Sequence, residues 1–204
     1  IEYNHIHHLG TGDMSDMGGI YMLGPQGGSE IRGNRIHDIK TANYGGWGIY
    51  LDEGSSCIVV EKNIVYNTDS EALFINYGKE NMIRYNILFS GKCAVIGMGR
   101  TMEHNTAVFL QNIIVFGEHT AIFGRSCVNF EDRTVIFDCN YYCGTSDPFM
   151  TVGEPNLKNN RIIPWDEWQG MGYDMGSHIV SDIFEPGTLN LKKDAEVFQY
   201  GFKR

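Results

Sequence analysis

The feature that most constrains this chain is an asparagine that recurs six times, each time three residues after an apolar residue. The spacing between copies is 30, 29, 23, 26 and 28 residues. The six copies are Asn4, Asn34, Asn63, Asn86, Asn112 and Asn140. A polar turn residue repeated at such a period is typical of solenoids, in which each repeat forms one coil. Equivalent residues of successive repeats should therefore lie above one another.

Each repeat also contains three short apolar segments, such as those centred on Ile36, Ile49 and Val59. Three short strands per repeat predict one coil of a parallel β-helix. A leucine-rich repeat has a similar period, but neither its leucine consensus nor its helical half is visible. We therefore predict an all-β parallel β-helix of about six coils over residues 1–144. Residues 145–204, where the repeat fades, should form the last coil and a C-terminal cap of the same domain, with Trp165 and Trp168 in the core of that cap.

The recurring asparagines are expected to be scaffold. Residues at the same place in neighbouring coils lie about 4.8 Å apart, which is the spacing of paired strands. Asparagine tolerates the left-handed turn conformation, and its amide can bond the amide or backbone of the next coil, as in cross-β side-chain ladders. The motif therefore predicts the fold rather than the active groups.

Composition excludes several classes of partner. The net charge of −9 makes a nucleic-acid backbone an unfavourable ligand, and no run of about 18 apolar residues indicates a membrane span. We expect no cofactor and no metal.

The chain opens inside a repeat and without Met, so we expect further coils of the same polypeptide upstream to be its structural partner. Any secretion signal would lie there too, and the expected location is extracellular, periplasmic or on the cell surface.

Strand alternation assigns the faces of the second strand in each repeat. One predicted outward column is Tyr21, Tyr50, Phe74, Ile96 and Phe123, and the next is Leu23, Asp52, Asn76, Met98 and Arg125. Aromatic rings beside carboxylate and amide groups suit a saccharide, which offers apolar C–H faces and hydroxyls. The alternative is that a loop covers the aromatic column.

Two long glycine-bearing loops precede this strand in the first two repeats, at residues 11–19 and 40–48. Function concentrates in loops held by a rigid scaffold, so a site is expected on the first coils. At the end of the first strand, His8 should lie over Asp38, either as a pair that charges near neutral pH or as part of a polar turn ladder. A metal site from His5, His7 and His8 is disfavoured, since adjacent strand residues point to opposite faces.

Glycosidic bond hydrolysis needs two carboxyl groups, about 5 Å apart for retention or about 6.5–9.5 Å apart for inversion. The carboxylates nearest the aromatic column are Asp13, Asp16, Asp52 and Glu53. Neighbouring coils can supply either separation with a small lateral offset.

Two motifs, Ser15-Asp16-Met17-Gly18-Gly19-Ile20-Tyr21 and the stretch from Tyr44 to Gly54, resemble right-handed parallel β-helix enzymes of glycoside hydrolase family 141. The C-terminal residues 165–169, 172–174 and 181–184 are similar to the end of the same group. The resemblance covers the C-terminal part of such enzymes. It implies cleavage of plant cell-wall polysaccharide, either xylan or fucosylated pectin, with Asp16 and Asp52 at the positions of the catalytic pair.

The two aspartates are offset along the strand, because Asp16 precedes the shared Gly-Ile-Tyr and Asp52 follows it. Seven positions of straight strand would separate them by about 23 Å. The pair therefore requires the loop at residues 10–18 to fold back over the strand. The predicted substrate-binding residues are Tyr21, Tyr50, Trp47, Glu53, Asn76 and His8.

Two alternatives remain open on the same scaffold. A polysaccharide lyase would need a Lys, Arg, His or Tyr base in the cleft, and Arg125 is several coils away. A non-catalytic carbohydrate-binding or adhesion β-helix would need no carboxylate pair.

Overall fold

The computed structural model describes residues 1–100, 102–126, 130–152 and 161–203, with Arg125 and Ser126 described by their backbone alone. Three parallel sheets wind into five complete coils and a partial sixth, which confirms the predicted all-β parallel β-helix. Isoleucine, valine and phenylalanine fill the inward-facing positions of the strands, and segments such as Leu73–Ile75 and Ile96–Met98 are buried on both faces.

The described strands are grouped by sheet, with neighbours in each sheet hydrogen-bonded. The first sheet contains β1 (His5–Leu9), β4 (Arg35–Ile39), β7 (Ile64–Thr68), β10 (Ile87–Phe89), β13 (Ile113–Val115), β16 (Tyr141–Cys143) and β19 (His178–Val180). The second contains β2 (Gly18–Pro25), β5 (Trp47–Ser56), β8 (Leu73–Ile75), β11 (Ile96–Met98), β14 (Phe123–Ser126), β17 (Phe149–Val152) and β18 (Arg161–Pro164). The third contains β3 (Glu30–Arg32), β6 (Val59–Glu61), β9 (Asn81–Arg84), β12 (Ala107–Leu110) and β15 (Val135–Asp138).

The asparagines form a continuous ladder at the corner between the third and first sheets. At each of the five steps the side-chain amide donates to the Oδ1 atom of the asparagine one coil further on, at 2.9–3.1 Å. The same Oδ1 atoms also accept the backbone N–H of the preceding asparagine. The ladder therefore satisfies polar groups that the coil corners bury, as a scaffold role requires.

The left-handed turn does not fall on the asparagine itself. The residue before each asparagine takes the positive φ, for example 58° at Lys62 and 57° at Tyr85. The expectation that asparagine adopts this conformation is therefore wrong. The preceding residue makes the bend, and the asparagine side chain remains directed along the ladder.

The predicted outward positions of Ile96, Met98 and Phe123 are also wrong, because all three are fully buried. In the fourth coil it is Gly97, not Ile96, that pairs with Phe74. A glycine gives no apolar or polar signal, so the alternation read from the sequence is displaced by one residue there. The interior column is Ile20, Ile49, Leu73, Ile96 and Phe123.

The C-terminal end of the helix is closed by β18, which pairs antiparallel with β17, and by α1 (Trp165–Gly170). Trp168 is fully buried and stacks on Tyr173 with ring centroids 4.2 Å apart. Trp165 is partly buried and packs against the same core. These contacts confirm both tryptophans as cap aromatics, and they cover strand edges that would otherwise template association.

The segment after β19 covers the outer face of the first sheet in the later coils. It includes a short 3-10 helix at Glu196–Phe198, and a second such helix lies at Phe130–Asp132. A separate apolar cluster joins Ile113 and Tyr141 of the sheet to Ile183, Leu191 and Val197 of this segment. The described helices include none long and apolar enough to cross a membrane.

A charge ladder crosses the outer face of the third sheet. Glu61 is buried to 6% exposure and accepts a bond of 2.7 Å from Arg32 Nε and another of 2.7 Å from Arg84 Nε. Burial raises the pKa of Glu61, but the two guanidinium groups outweigh burial and hold that pKa below its usual value. A depressed carboxyl pKa stabilises the fold above the unfolded-state pKa, and this stability is lost as the pH falls through the folded-state pKa.

We therefore expect Glu61→Gln to be less stable than the parent at pH 7 and to lose less stability between pH 5 and pH 3. The measurement is urea unfolding at a series of pH values. Glu2→Gln is the matched control, since Glu2 contacts Arg32 at 3.3 Å from an exposed position. An equal pH dependence in the parent and Glu61→Gln would show that this ladder contributes nothing to acid sensitivity.

Candidate functional site

The two long loops lie side by side and are hydrogen-bonded to each other along their length. Ala42 N donates to Met14 O at 2.7 Å, and Asp16 N donates to Tyr44 O at 2.9 Å. The backbone N–H groups of Gly46 and Trp47 both donate to the carbonyl of Met17, the latter at 3.0 Å. The loops therefore form one ordered surface above β2 and β5.

The third coil anchors this surface from one side. Asp69 accepts a bond of 3.0 Å from Thr41 N and one of 2.5 Å from Lys92 Nζ. Gly46 has a φ of +81°, and a Cβ added there would lie 3.1 Å from Thr41 Cβ. Glycine is therefore required where the second loop turns back towards the strand.

Asp52 lies on the outer face of β5 and is the most heavily hydrogen-bonded carboxylate of the site. It accepts bonds from the Tyr21 hydroxyl, from Asn76 Nδ2 at 2.8 Å, from the Tyr50 hydroxyl and from the backbone N–H of Glu53. Asp52 is 7% exposed. Burial raises the pKa of Asp52, but the donors outweigh it, so the pKa lies below its usual value and the group is ionised at neutral pH.

Asp16 approaches the same hydroxyl groups from the first loop. Its φ of 54° turns the chain, and its carboxylate is hydrogen-bonded to the Tyr44 hydroxyl. The charges of Asp16 and Asp52 both raise the pKa values of Tyr21, Tyr44 and Tyr50. The loop at residues 10–18 therefore lies close enough to Tyr21 and Tyr50 for the charge of Asp16 to act on their hydroxyl groups.

The aromatic column is exposed only at its first residue. Tyr21 is 48% exposed, and its ring stacks on that of Tyr50 with centroids 4.8 Å apart. Tyr50 and Phe74 are buried, and the Trp47 ring lies against both at 4.3 and 4.5 Å. The predicted alternative of a covering loop therefore holds for Tyr50 and Phe74, since Trp47 comes from the end of the second loop. Ile96 and Phe123 are buried because they face the interior of the coil.

Trp47 is itself 2% exposed, and its indole N–H donates to Glu71 Oε2 at 2.7 Å. The ring therefore supports Tyr50 from within and presents no face to solvent. Glu71 is fully buried beneath this cluster and was not a sequence candidate. The polar stretch Asp69-Ser70-Glu71 is typical of an exposed turn, so the sequence gives no sign of this buried role.

Arg100 is a basic residue of the site that the sequence patterns do not reveal. It pairs with Glu53 at 3.1 Å, lies 4.7 Å from the Tyr77 ring centroid, and donates to Asn76 Oδ1 at 3.4 Å. Because an arginine can only donate, it fixes the Asn76 oxygen on its own side and the amide NH2 towards Asp52. The one-residue displacement at Gly97 conceals the proximity of Arg100 to Asn76.

His8 lies elsewhere, in a groove with Thr11, Asp38, Lys40 and Asn67. Its Nε2 atom is 3.6 Å from Asp38, and both residues have a φ of 57°, so the polar turn ladder is present. The structure does not bring His8 to Asp52.

The expectation that His7 and His8 point apart is wrong, because the left-handed turn at His8 brings their Nδ1 atoms to 2.6 Å. His5 and His37 are in similar contact, at 2.7 Å between their Nε2 atoms. Within the described residues there is no group of three or more His, Cys, Asp or Glu side chains suited to hold a metal ion.

The Tyr21 phenol is suited to donate a hydrogen bond to Asp52 rather than to act as a base. The bond to Asp52, with burial second, raises the pKa of Tyr21 to about 12. The phenol is therefore protonated at neutral pH and stabilises the Asp52 carboxylate.

Tyr21→Phe should raise the pKa of Asp52 by about one unit, because one charge-assisted hydrogen bond is lost. The measurement is carbon-13 NMR titration of the Asp52 carboxyl. Tyr44→Phe is the control, since the Tyr44 hydroxyl bonds Asp16 instead. An unchanged Asp52 titration in Tyr21→Phe would show that the phenol does not affect the pKa of this carboxylate.

The fold defines a class of protein, the parallel β-helix, which is common to polysaccharide-active enzymes and binding proteins. Over residues 1–114 the chain matches the family described as Right handed beta helix region, and it belongs to that family. Many carbohydrate-active enzymes are members. Comparison with curated proteins and with solved structures gives no match.

Proposed function

We propose that the protein is a glycoside hydrolase that cleaves plant cell-wall polysaccharide, either xylan or fucosylated pectin, as its resemblance to glycoside hydrolase family 141 implies. The observation that carries the proposal is the Asp52 carboxylate on the outer face of β5, bonded by the Tyr21 hydroxyl and Asn76, with Asp16 on the first loop bonded to the Tyr44 hydroxyl. Two carboxylates beside an exposed aromatic ring are the groups that glycosidic hydrolysis needs. The natural location of such an enzyme is outside the cytoplasm, where its substrate is.

The environments of the two carboxylates suggest separate roles. Asp52 is held in its ionised form by four donors, so we assign it the role of nucleophile or general base. Asp16 is exposed on the loop and is assigned the role of general acid, which must reach the leaving-group oxygen. Tyr21 provides the ring on which a sugar stacks, and Asn76 orients Asp52.

A lyase on this scaffold is less well supported. The tyrosines of the site have raised pKa values and are poor bases at neutral pH. Arg100 contacts the Asp52 network through Asn76, and its guanidinium group is paired with Glu53.

One observation favours a second candidate, a carbohydrate-binding β-helix without catalysis. Asp52 is 7% exposed and already accepts four hydrogen bonds, which limits its access to a sugar. Tyr21, in contrast, offers an accessible ring in a fixed orientation. Such a protein would bind wall polysaccharide and release nothing.

The test is incubation of the protein with xylan and with fucosylated pectin, followed by assays for reducing ends, for ultraviolet absorbance and for retention on the insoluble polymer. New reducing ends without absorbance support a hydrolase. Absorbance from a new double bond would identify a lyase. Retention without either product would identify the binding protein and overturn the enzymatic proposal.

A further inference from the structure

A second concave site lies on the opposite side of the coil from Asp52, between the asparagine corner and the C-terminal segment. It is a groove of about 440 Å³, within the usual range of roughly 300–1,000 Å³ for small-molecule sites. Its apolar lining comes from both sides: Ile64, Tyr85 and Ile87 from the coils, and Leu189, Leu191 and Phe202 from the segment.

The rim of this groove is basic in a chain whose net charge is −9. Lys62 and Lys193 line it, and Lys203 Nζ lies 6.0 Å from the centroid of the Tyr85 ring. Within the described part of the chain these three lysines have no ion-pair partner. Lys92 and Lys192, by comparison, pair with aspartates at 2.5 Å.

The other charged groups of the rim leave an excess of positive charge. Glu185 also lines the groove and is exposed. Arg84 lies 5.9 Å from the Tyr85 ring centroid, but its charge is matched by Glu61 at 2.7 Å. Three unpaired ammonium groups therefore face one unpaired carboxylate around an apolar floor.

We propose that this groove binds a small amphiphilic carboxylate, with its apolar body on Ile87, Leu189 and Phe202 and its carboxylate between Lys62 and Lys193. Burial of the ligand's apolar body provides the apolar contribution to the binding free energy. The lysines provide the electrostatic contribution to binding, because their charges, which face solvent in the free protein, would face the ligand's carboxylate. A neutral sugar fits less well, because it gains nothing from the charge of the unpaired lysines and the Asn63 amide is already bonded within the asparagine ladder. The site is independent of the proposed hydrolysis.

The experiment is isothermal titration of the protein with decanoate and, separately, with decanol as the uncharged ligand of equal chain length. Decanoate should bind about tenfold more tightly than decanol, because two exposed charge contacts contribute up to about that factor. The advantage should shrink in high salt. The double variant Lys62→Gln/Lys193→Gln should bind decanoate no better than decanol.

Two variants separate this site from general effects of charge and packing. Lys79→Gln removes an exposed lysine outside the groove and should leave decanoate binding unchanged. Leu189→Ser should weaken both ligands. Equal affinity for decanoate and decanol, binding of neither, or equal weakening by Lys79→Gln and Lys62→Gln would each overturn the proposal. None of these outcomes affects the hydrolase assay.

Discussion

Replacing Asp52 with asparagine should lower sugar release by on the order of 10³-fold, the usual loss when an essential acid or base is removed. The carboxylate sits where two tyrosines, Asn76 and a backbone N–H hold it ionised, and an amide cannot accept a proton or form a glycosyl ester. The measurement is the initial rate of reducing-end formation on the substrate that the parent protein cleaves.

The stability of Asp52→Asn must be measured alongside its activity. The amide keeps one acceptor oxygen for the tyrosines, but its NH2 group faces that of Asn76. We expect a loss of about 1–2 kcal/mol in the free energy of unfolding, which leaves the protein folded. Asp182→Asn is the matched control, because Asp182 is an exposed aspartate of the C-terminal segment that pairs with Lys192. Full activity in Asp52→Asn would exclude this residue from the reaction.

The same comparison applies to the first loop. Asp16→Asn should reduce activity on a comparable scale, whereas Asp13→Asn should not, since Asp13 bonds Thr11 within the exposed part of the loop. A loss in Asp13→Asn with normal rates in Asp16→Asn would reassign the loop carboxylate.

Replacing Asp174 with alanine should cost about 3–5 kcal/mol of folding free energy, the largest stability effect expected in this chain. Asp174 is fully buried and ends the asparagine ladder, accepting from Asn140 Nδ2 at 3.0 Å. It also accepts from Tyr142 at 2.7 Å, from Trp168 at 2.8 Å and from Ser177. Alanine would leave these donors without their acceptor inside the cap.

Thermal and urea unfolding measure this effect. Asp182→Ala is the control, because Asp182 is exposed and pairs only with Lys192 on the surface, so a change below about 1 kcal/mol is expected. Asp174→Asn should be intermediate, since it retains one acceptor oxygen. A wild-type unfolding midpoint in Asp174→Ala would show that the ladder needs no terminal acceptor.

The fold could be predicted because the scaffold signal is local and repeated. Each asparagine and its preceding apolar residue recur at every coil, so six weak motifs reinforce one another. The predicted register of the second strands is wrong in the fourth and fifth coils, where Gly97 and Gly124 take the outward position. The predicted left-handed position is also wrong, because it falls one residue before the asparagine.

The site was less predictable because it depends on how loops fold over the coil. The position of Asp16 follows from hydrogen bonds between the two loops, which no strand alternation encodes. The burial of Trp47 depends on Glu71 in the next coil, and the orientation of Asn76 depends on Arg100, also one coil later. Each of these contacts joins residues 24 positions apart, in neighbouring coils. The repeat predicts that the coils are neighbours, but not which side chains of their loops meet.

The most direct test of the proposed hydrolysis is mass spectrometry of the products formed in water enriched in oxygen-18. Hydrolysis by either stereochemical course transfers the oxygen of water to the new reducing end, so the product should carry the heavy isotope. Asp52→Asn should form no labelled product above background. An unlabelled product with a new double bond, or no product from any wall polysaccharide, would contradict the proposed function.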